Sequence, residues 1–303
     1  MVHVIVPTLN AAADWPQFAA ALTACIEPRQ VLIIDSDSTD GTRSLALSSG
    51  FQVCSIRRSD FNHGATRQIA ADMLVDASIL VYLTQDVMLF SPEALTYLVG
   101  AFTDPRIAVA YGRQLPRRGA GAIEAHARLF NYPQHSTVRE TGDRGQFGFK
   151  TIFVSNSFAA YRRSALMEVG GFPADTIFGE DTITAAKLLL AGYKIAYVAK
   201  AEVYHSHPYT RVQEFKRYFD VGVLHNRESW LLESFGGADD EGRRFVVSEL
   251  KYLVREDALK IPDAMLRTAL KYLGYRCGKA ETKLPLSIKR RISMNGRYWS
   301  RVL

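Results

Sequence analysis

The sequence predicts an α/β fold with a helical C-terminal part, and three observations carry that prediction. Over residues 1–115, short runs of β-forming apolar residues alternate with stretches of helical period. Each run ends in a polar cluster. From Tyr209 onward only the helical period remains. Strand–helix alternation implies parallel strands with right-handed crossovers, and ligands in such open sheets bind beyond the carboxyl ends of the strands.

In chain order, VHVIV (2–6) is a run of β-formers ended by Pro7. Trp15, Phe18, Ala19 and Leu22 then recur at helical spacing. VLIID (31–35) reads as a buried strand closed by SDSTDGT and followed by a helix through Leu45. FQVCSI (51–56) and SILVYLT (78–84) are strands on either side of the helix GATRQIAADML (64–74). Ser91 as N-cap and Pro92 at the first helical position open SPEALTYLVGAF, and IAVAYG (107–112) is the next strand. Residues 116–150, rich in Arg and Gly, predict a mobile loop over the site. FVSNSFAAYR (153–162) returns to strand character. After the turn VGGF and the segment FGED, the helix DTITAAKLLLAG ends with Gly192 at C′, and YKIAYV and AEVYH are two strands. VQEFKRYFDVGVLH, RRFVVSELKYLVRE and AMLRTALKYLGYRCGK are helical. The expected units are residues 1–207 and a helical region 208–303 with a basic tail.

A chain of 303 residues, 48% hydrophobic and 22% charged, is a folded globular protein and not a disordered one. No stretch approaches the ~18 apolar residues that span a bilayer, and the N-terminus lacks the layout of a secretory signal. Cys25, Cys54 and Cys277 have no metal-type spacing, which argues against zinc and a disulfide framework and fits a reducing cytosol. The charge is uneven. Residues 1–240 carry 22 basic and 25 acidic side chains; residues 241–303 carry 15 and 6. A basic tail with interspersed aromatics suits anionic lipid or nucleic acid, or else a solvated helical surface.

Four polar strand ends converge on one sheet edge, and the candidate chemistry lies there. Asp86, in Thr84-Gln85-Asp86, either caps a turn or holds a hard divalent cation such as Mg²⁺ or Mn²⁺. Glu180-Asp181 opens a helix, where carboxylates either cap or serve as a general base toward a hydroxyl. His205 and His207, spaced i, i+2 at a strand end, form either a metal site or a polar edge. FNHGATRQ (61–68) offers helix-start amides plus Arg67 as a diphosphate cradle, with a plain helix-surface Arg67 as the alternative.

Taken together, VIVPTLN, IIDSDSTDGT, LTQD, GGFP and FGED resemble the ordered motifs of family 2 glycosyltransferases with the GT-A fold, a Rossmann-like, mainly parallel sheet flanked by helices. FNHGATRQ, AYGRQLP, FVSNSFAAYRRSAL, HSHPYT and QEFKRYFD resemble the bacterial rhamnosyltransferases of that family, which act on surface-polysaccharide precursors. The resemblance implies that Pro7, Thr8 and Asn10 lie against the nucleotide and that Asp35 lines the base pocket. Ser36 replaces the family's second Asp, with Asp37 as the candidate substitute. It further implies that Thr84, Gln85 and Asp86 form the Asp-x-Asp-like element, Asp86 being a metal ligand and Gln85 a neutral ribose contact. Asp181 is the implied base, and His205 or His207 completes a Mg²⁺ or Mn²⁺ site. The implied reaction is inverting transfer of rhamnose from dTDP-rhamnose, with another UDP- or GDP-sugar as the alternative donor, to a hydroxyl of a polysaccharide or of a lipid-linked oligosaccharide precursor met at the cytoplasmic membrane face. Arg67 would assist the leaving diphosphate. Residues 283–303, which mix Leu, Ile, Met, Tyr and Trp with Lys and Arg, suit either a reversible membrane contact or packing on the protein's own core or on a second subunit. A nucleotidyltransferase lacks support because PTLNAAADW carries no Gly, Lys or Arg. Retention of Asp86, Asp181 and both His residues speaks against a non-catalytic sugar-binding module. No nucleic-acid motif accompanies the charge.

Overall fold

The computed structural model describes residues 1–237 and 239–300. Nine strands form one mixed sheet among them: β1 (Val2–Thr8), β2 (Val31–Asp35), β3 (Gln52–Ser55), β4 (Ile79–Leu83), β5 (Met88–Leu89), β6 (Ile107–Leu115), β7 (Thr137–Arg139), β8 (Phe158–Arg162) and β9 (Lys194–Tyr204). The order is β3-β2-β1-β4-β8-β6-β9-β5, with β7 paired to β9.

The N-terminal half is parallel as the alternation predicts: β1 pairs with β2 and β4, and β2 with β3. Strand order reverses between β1 and β4, so their carboxyl ends open the crevice where α/β sheets bind ligands. Successive residues of β1 face opposite sides. Ile5 joins one apolar cluster and Val4 and Val6 the other, so both faces are covered and the strand reads as an unbroken apolar run. Pro7 is tolerated because pairing with β4 has ended at Ile5 and only β2 remains beside it.

The parallel expectation fails at β8, which runs antiparallel to both β4 and β6. The chain leaves β6 at the crevice edge and re-enters at that same edge, so the strand must run back. Residues 116–150 are also no simple loop. They contain α5 (Ala122–Asn131), anchored by His126 and Phe130 packed on Phe245, and β7, which pairs antiparallel with β9. In 153–162 only the second half is strand, because Phe158 N–H closes a turn on the Ser155 carbonyl (3.1 Å). The two strands expected in 193–205 are one, β9.

In chain order the other helices are α1 (Trp15–Thr23), α2 (Thr42–Ser48), α3 (His63–Met73), α4 (Ala94–Gly100), α6 (Arg144–Phe147), α7 (Arg163–Glu168), α8 (Glu180–Leu190), α9 (Arg211–Arg227), α10 (Ser229–Phe235), α11 (Asp239–Glu256), α12 (Ile261–Lys279) and α13 (Leu286–Ile292). α1, α2 and α4 cover one sheet face; α3, α7, α8 and α9 cover the other. A capping box between Thr210 and Gln213 starts α9. α9 and α12 cross at Gly222, Gly274 and Gly278, where any added Cβ would strike the facing backbone. No helix among the described residues is long and apolar enough to cross a membrane.

The tail does not offer its tryptophan to an interface. Trp299 is 1% exposed, packs near Phe219 (6.3 Å) and lies under Arg227 and Lys289. The expected interfacial segment 283–303 is thus, over its described part, folded onto the protein's own core. Residues 301–303 lie outside the described residues.

Candidate active site

Asp86 follows β4 in a turn closed by the Val87 N–H on the Thr84 carbonyl (3.1 Å). His205 and His207 follow β9, two strands further along the sheet edge from β8. The Asp86 Oδ2 stands 3.2 Å from His205 Nε2 and 3.5 Å from His207 Nε2. One ligand atom from each residue falls within 4.8 Å of the others. Arg117 clamps the arrangement, donating from its guanidinium to the Asp86 carbonyl (2.5 Å) and from its backbone N–H to Ser206 Oγ (3.1 Å).

The protonation pattern tests whether a cation fits. Burial drives the His205 and His207 pKa values down, His207 to about 4, so both rings are neutral at pH 7. Burial alone would raise the Asp86 pKa, but the surrounding His205, Thr84 and His207 groups hold it well below the usual carboxylate range, so an ionised carboxylate faces the two rings. Gln114 fixes the tautomer. Its Oε1 accepts from Arg128 (2.9 Å), a group that can only donate, and it faces His205 Nδ1 at 2.8 Å. Nδ1 therefore carries the proton, and the lone pair of Nε2 faces the Asp86 carboxylate. Two acceptors at 3.2 Å need a positive charge between them. An imidazole whose second nitrogen donates to a fixed oxygen is the usual form of a metal-ligating histidine, so the residues fit a divalent cation.

Asp181 lies in the first turn of α8, entered through Gly179 at φ +78°, a conformation glycine takes without strain. Its two oxygens accept from the Thr182 N–H (2.8 Å) and the Asn156 N–H (3.2 Å). Burial and the adjacent Glu180 charge raise its pKa to about 6. Glu180 itself is buried and stays ionised: burial opposes the charge, but Arg67 at 3.0 Å, the positive potential of His63 and the Asn156 amide outweigh it.

The turn Ser155–Ser157 links the two carboxylates. The Ser157 carbonyl accepts from the Thr84 N–H (3.3 Å), Ser155 Oγ accepts from Gln114 (3.0 Å), and Asn156 holds Asp181. Hydrogen bonds and the Ser155–Asn156 backbone thus connect His205, which faces Asp86, through Gln114 to Asp181.

The nucleotide-side residues gather at the β1/β4 crevice. Thr8 and Asp35 are both 2% exposed, with the Thr8 hydroxyl 3.5 Å from the Asp35 carboxylate. Asn10, at φ +51°, accepts the Thr39 N–H (2.9 Å), and Asp37 is exposed at φ +64°. The buried Ser36 hydroxyl has no hydrogen-bond partner among the described residues. Two expectations need correction. Gln85 does not present its amide to a ribose, since it both donates to and accepts from the Leu9 backbone (3.0 and 2.7 Å), stitching β4 to β1. Arg67 is no diphosphate cradle. It is 4% exposed and paired with Glu180, and Asn62 already caps the amides of Gly64 and Ala65.

The sequence reading missed Gln114, Asn156, Arg128 and Arg217. Arg128 and Arg217 both add to the positive potential at His207, and Arg217 lies over the Tyr209 ring (5.6 Å), which itself lies 5.2 Å from His207. The polar insert SNS before an apolar strand was the available signal for Asn156. Nothing in sequence marks Gln114.

A crevice at a strand-order switch, with an acidic and imidazole cluster beside a raised carboxylate, defines a sheet enzyme of the GT-A type. Solved structures agree on the fold. A mannosyltransferase from Pyrobaculum calidifontis, in complex with GDP-Man and Mn²⁺, matches at TM-score 0.56 and 20% identity over 99% of this chain and 84% of that one. S. aureus TarS (residues 1–349, with UDP-GlcNAc) matches at TM-score 0.54 and 14% identity over 93% and 91%. The family model for glycosyl transferase family group 2 matches residues 79–233. The O-antigen chain rhamnosyltransferase RfbN of Salmonella typhimurium is 46% identical over 99% of this chain and 96% of its own. WbaN of Salmonella anatum, an O-antigen chain rhamnosyltransferase, is 45% identical over 98% and 95%. The chain belongs to the family 2 glycosyltransferases and is a glycosyltransferase.

Proposed function

We propose that the protein is an inverting, divalent-cation-dependent rhamnosyltransferase of surface-polysaccharide assembly. It moves rhamnose from dTDP-rhamnose to a hydroxyl of a lipid-linked saccharide acceptor. The observation that carries this reading is the Asp86–His205–His207 cluster, joined through one turn to Asp181, in a chain 46% identical to an O-antigen chain rhamnosyltransferase.

In this reading Asp86, His205 and His207 hold Mn²⁺ or Mg²⁺. When bound, that cation supplies Lewis-acid stabilisation of the charge on the leaving diphosphate. Pro7, Thr8, Asn10, Asp35 and Asp37 border the nucleoside. Asp181, with a pKa of about 6, is mostly ionised at neutral pH and still basic enough to take a proton. It removes the acceptor hydroxyl proton as that oxygen attacks the anomeric carbon. The bond to the diphosphate breaks on the opposite face, so one displacement inverts the configuration. General-base help of this kind is worth ~10²–10⁴-fold. Residues 1–207 form the donor and base unit, with helices α9 to α13 as its buttress. The three free cysteines fit a cytoplasmic setting.

The test is a calorimetric donor screen with and without Mn²⁺, comparing dTDP-rhamnose with UDP- and GDP-sugars. The expected result is Mn²⁺-dependent binding of dTDP-rhamnose. Binding of UDP- or GDP-sugars alone would overturn the donor assignment.

A further inference from the structure

We infer that the outer face of α11 and the turn into α12 form a docking surface for an anionic lipid bilayer. This deepens the reading of a lipid-borne acceptor, and it displaces the C-terminal tail as the contact.

The α11 face is set by helical spacing. Arg243, Val247, Lys251, Val254 and Arg255 recur at three- and four-residue intervals and are all exposed, while Glu249 and Leu253 turn inward. At the turn, Leu259 is 91% exposed beside the exposed Lys260. Four of these cations (Arg243, Lys251, Arg255 and Lys260) enter no ion pair with a described carboxylate, whereas Arg244 has Glu241 at 3.5 Å. Glu256 is the exposed acid at this end of the face. Two adjoining hollows, about 680 and 460 Å³, open along the stripe and share Ser248 and Lys251; the smaller is also lined by His126, Leu129 and Phe130 of α5.

Two features choose the occupant. A second copy docking isologously would set these cations against themselves. A nucleic acid would use the charge but leave Val247, Val254 and Leu259 wet. An anionic bilayer satisfies both, with headgroup phosphates on the Lys and Arg residues and the apolar tips in the acyl boundary. The face also continues from α5, whose Arg128 reaches the active-site Gln114 (2.9 Å), so docking there holds the site close to a membrane-borne acceptor.

The experiment is vesicle flotation of the full chain with phosphatidylcholine alone or mixed with phosphatidylglycerol. The wild type is expected to float only with the anionic mixture. The triple variant Lys251→Gln, Arg255→Gln, Lys260→Gln should lose roughly a hundredfold in partitioning, from about one kcal/mol per basic residue. Leu259→Ser should weaken it further. Arg290→Gln with Arg291→Gln, on the exposed side of α13, should change it little. Unfolding midpoints of all variants should match the wild type. No flotation by the wild type, loss only in the α13 variant, or a wild-type dimer that the triple variant converts to monomer would each overturn the proposal. Equal binding of a single-stranded oligonucleotide would also overturn it. Flotation requires no acceptor or donor, so a wrong sugar assignment leaves this result standing.

Discussion

Gln114→Leu is expected to damage cation binding without touching a cation ligand. Gln114 is 1% exposed and makes three contacts, to His205 Nδ1 (2.8 Å), Arg128 (2.9 Å) and Ser155 Oγ (3.0 Å). Leucine fills similar space but leaves the His205 N–H without an acceptor, at a cost of ~1–3 kcal/mol for a buried donor. The ring can then rotate or take the other tautomer, which withdraws the Nε2 lone pair from Asp86. Outer partners of ligating histidines are typically worth ~10–100-fold in metal affinity. Mn²⁺ titration, followed by calorimetry or by the spin resonance of free Mn²⁺, should show that loss. Gln114→Glu, which keeps an acceptor on Nδ1, should restore most of it. A folded Gln114→Leu protein that binds Mn²⁺ within twofold of wild type would refute the positioning argument.

The remaining predictions follow from the same geometry. With Asp181 titrating at about 6, kcat/KM should fall tenfold per pH unit below that value, where the base is protonated, and flatten above it; a limb near 4 would remove the cause assigned to Glu180. Arg67→Met strands a buried Glu180 charge and should cost ~3–5 kcal/mol in denaturant unfolding. It should also move the kcat/KM limb upward, since Arg67 lowers the Asp181 pKa; unchanged stability with weakened donor binding would return Arg67 to the diphosphate. Gly278→Val should push α12 off α9 and lower stability by ~1–3 kcal/mol, measured by thermal unfolding, with no change expected if the two helices pack loosely.

The N-terminal sheet was legible because its strands are buried on both faces and punctuated by polar ends. VHVIV, VLIID and SILVYLT each fall on an observed strand, give or take two residues. The antiparallel β8 was not, since strand direction depends on which edge the chain re-enters, and residues 116–157 carry no periodic mark of that. Asp86, Asp181 and the two histidines were visible as polar residues at element ends. What the sequence could not reveal is where side chains spend their hydrogen bonds. Gln85 looked like a ligand contact and holds Leu9; Arg67 looked like an anion site and pairs with Glu180. Trp299 looked interfacial because composition does not say which aromatic reaches the core.

The central claim, a cation site on Asp86 and a separate base on Asp181, is tested most directly by comparing Asp86→Ala with Asp181→Asn in one calorimetric and turnover series. Asp181→Asn should bind Mn²⁺ and dTDP-rhamnose within a few-fold of wild type while turnover drops ~10²–10⁴-fold, and Asp86→Ala should lose the Mn²⁺ dependence of donor binding. Near-normal turnover by Asp181→Asn, or unchanged Mn²⁺ binding by Asp86→Ala, would contradict the account.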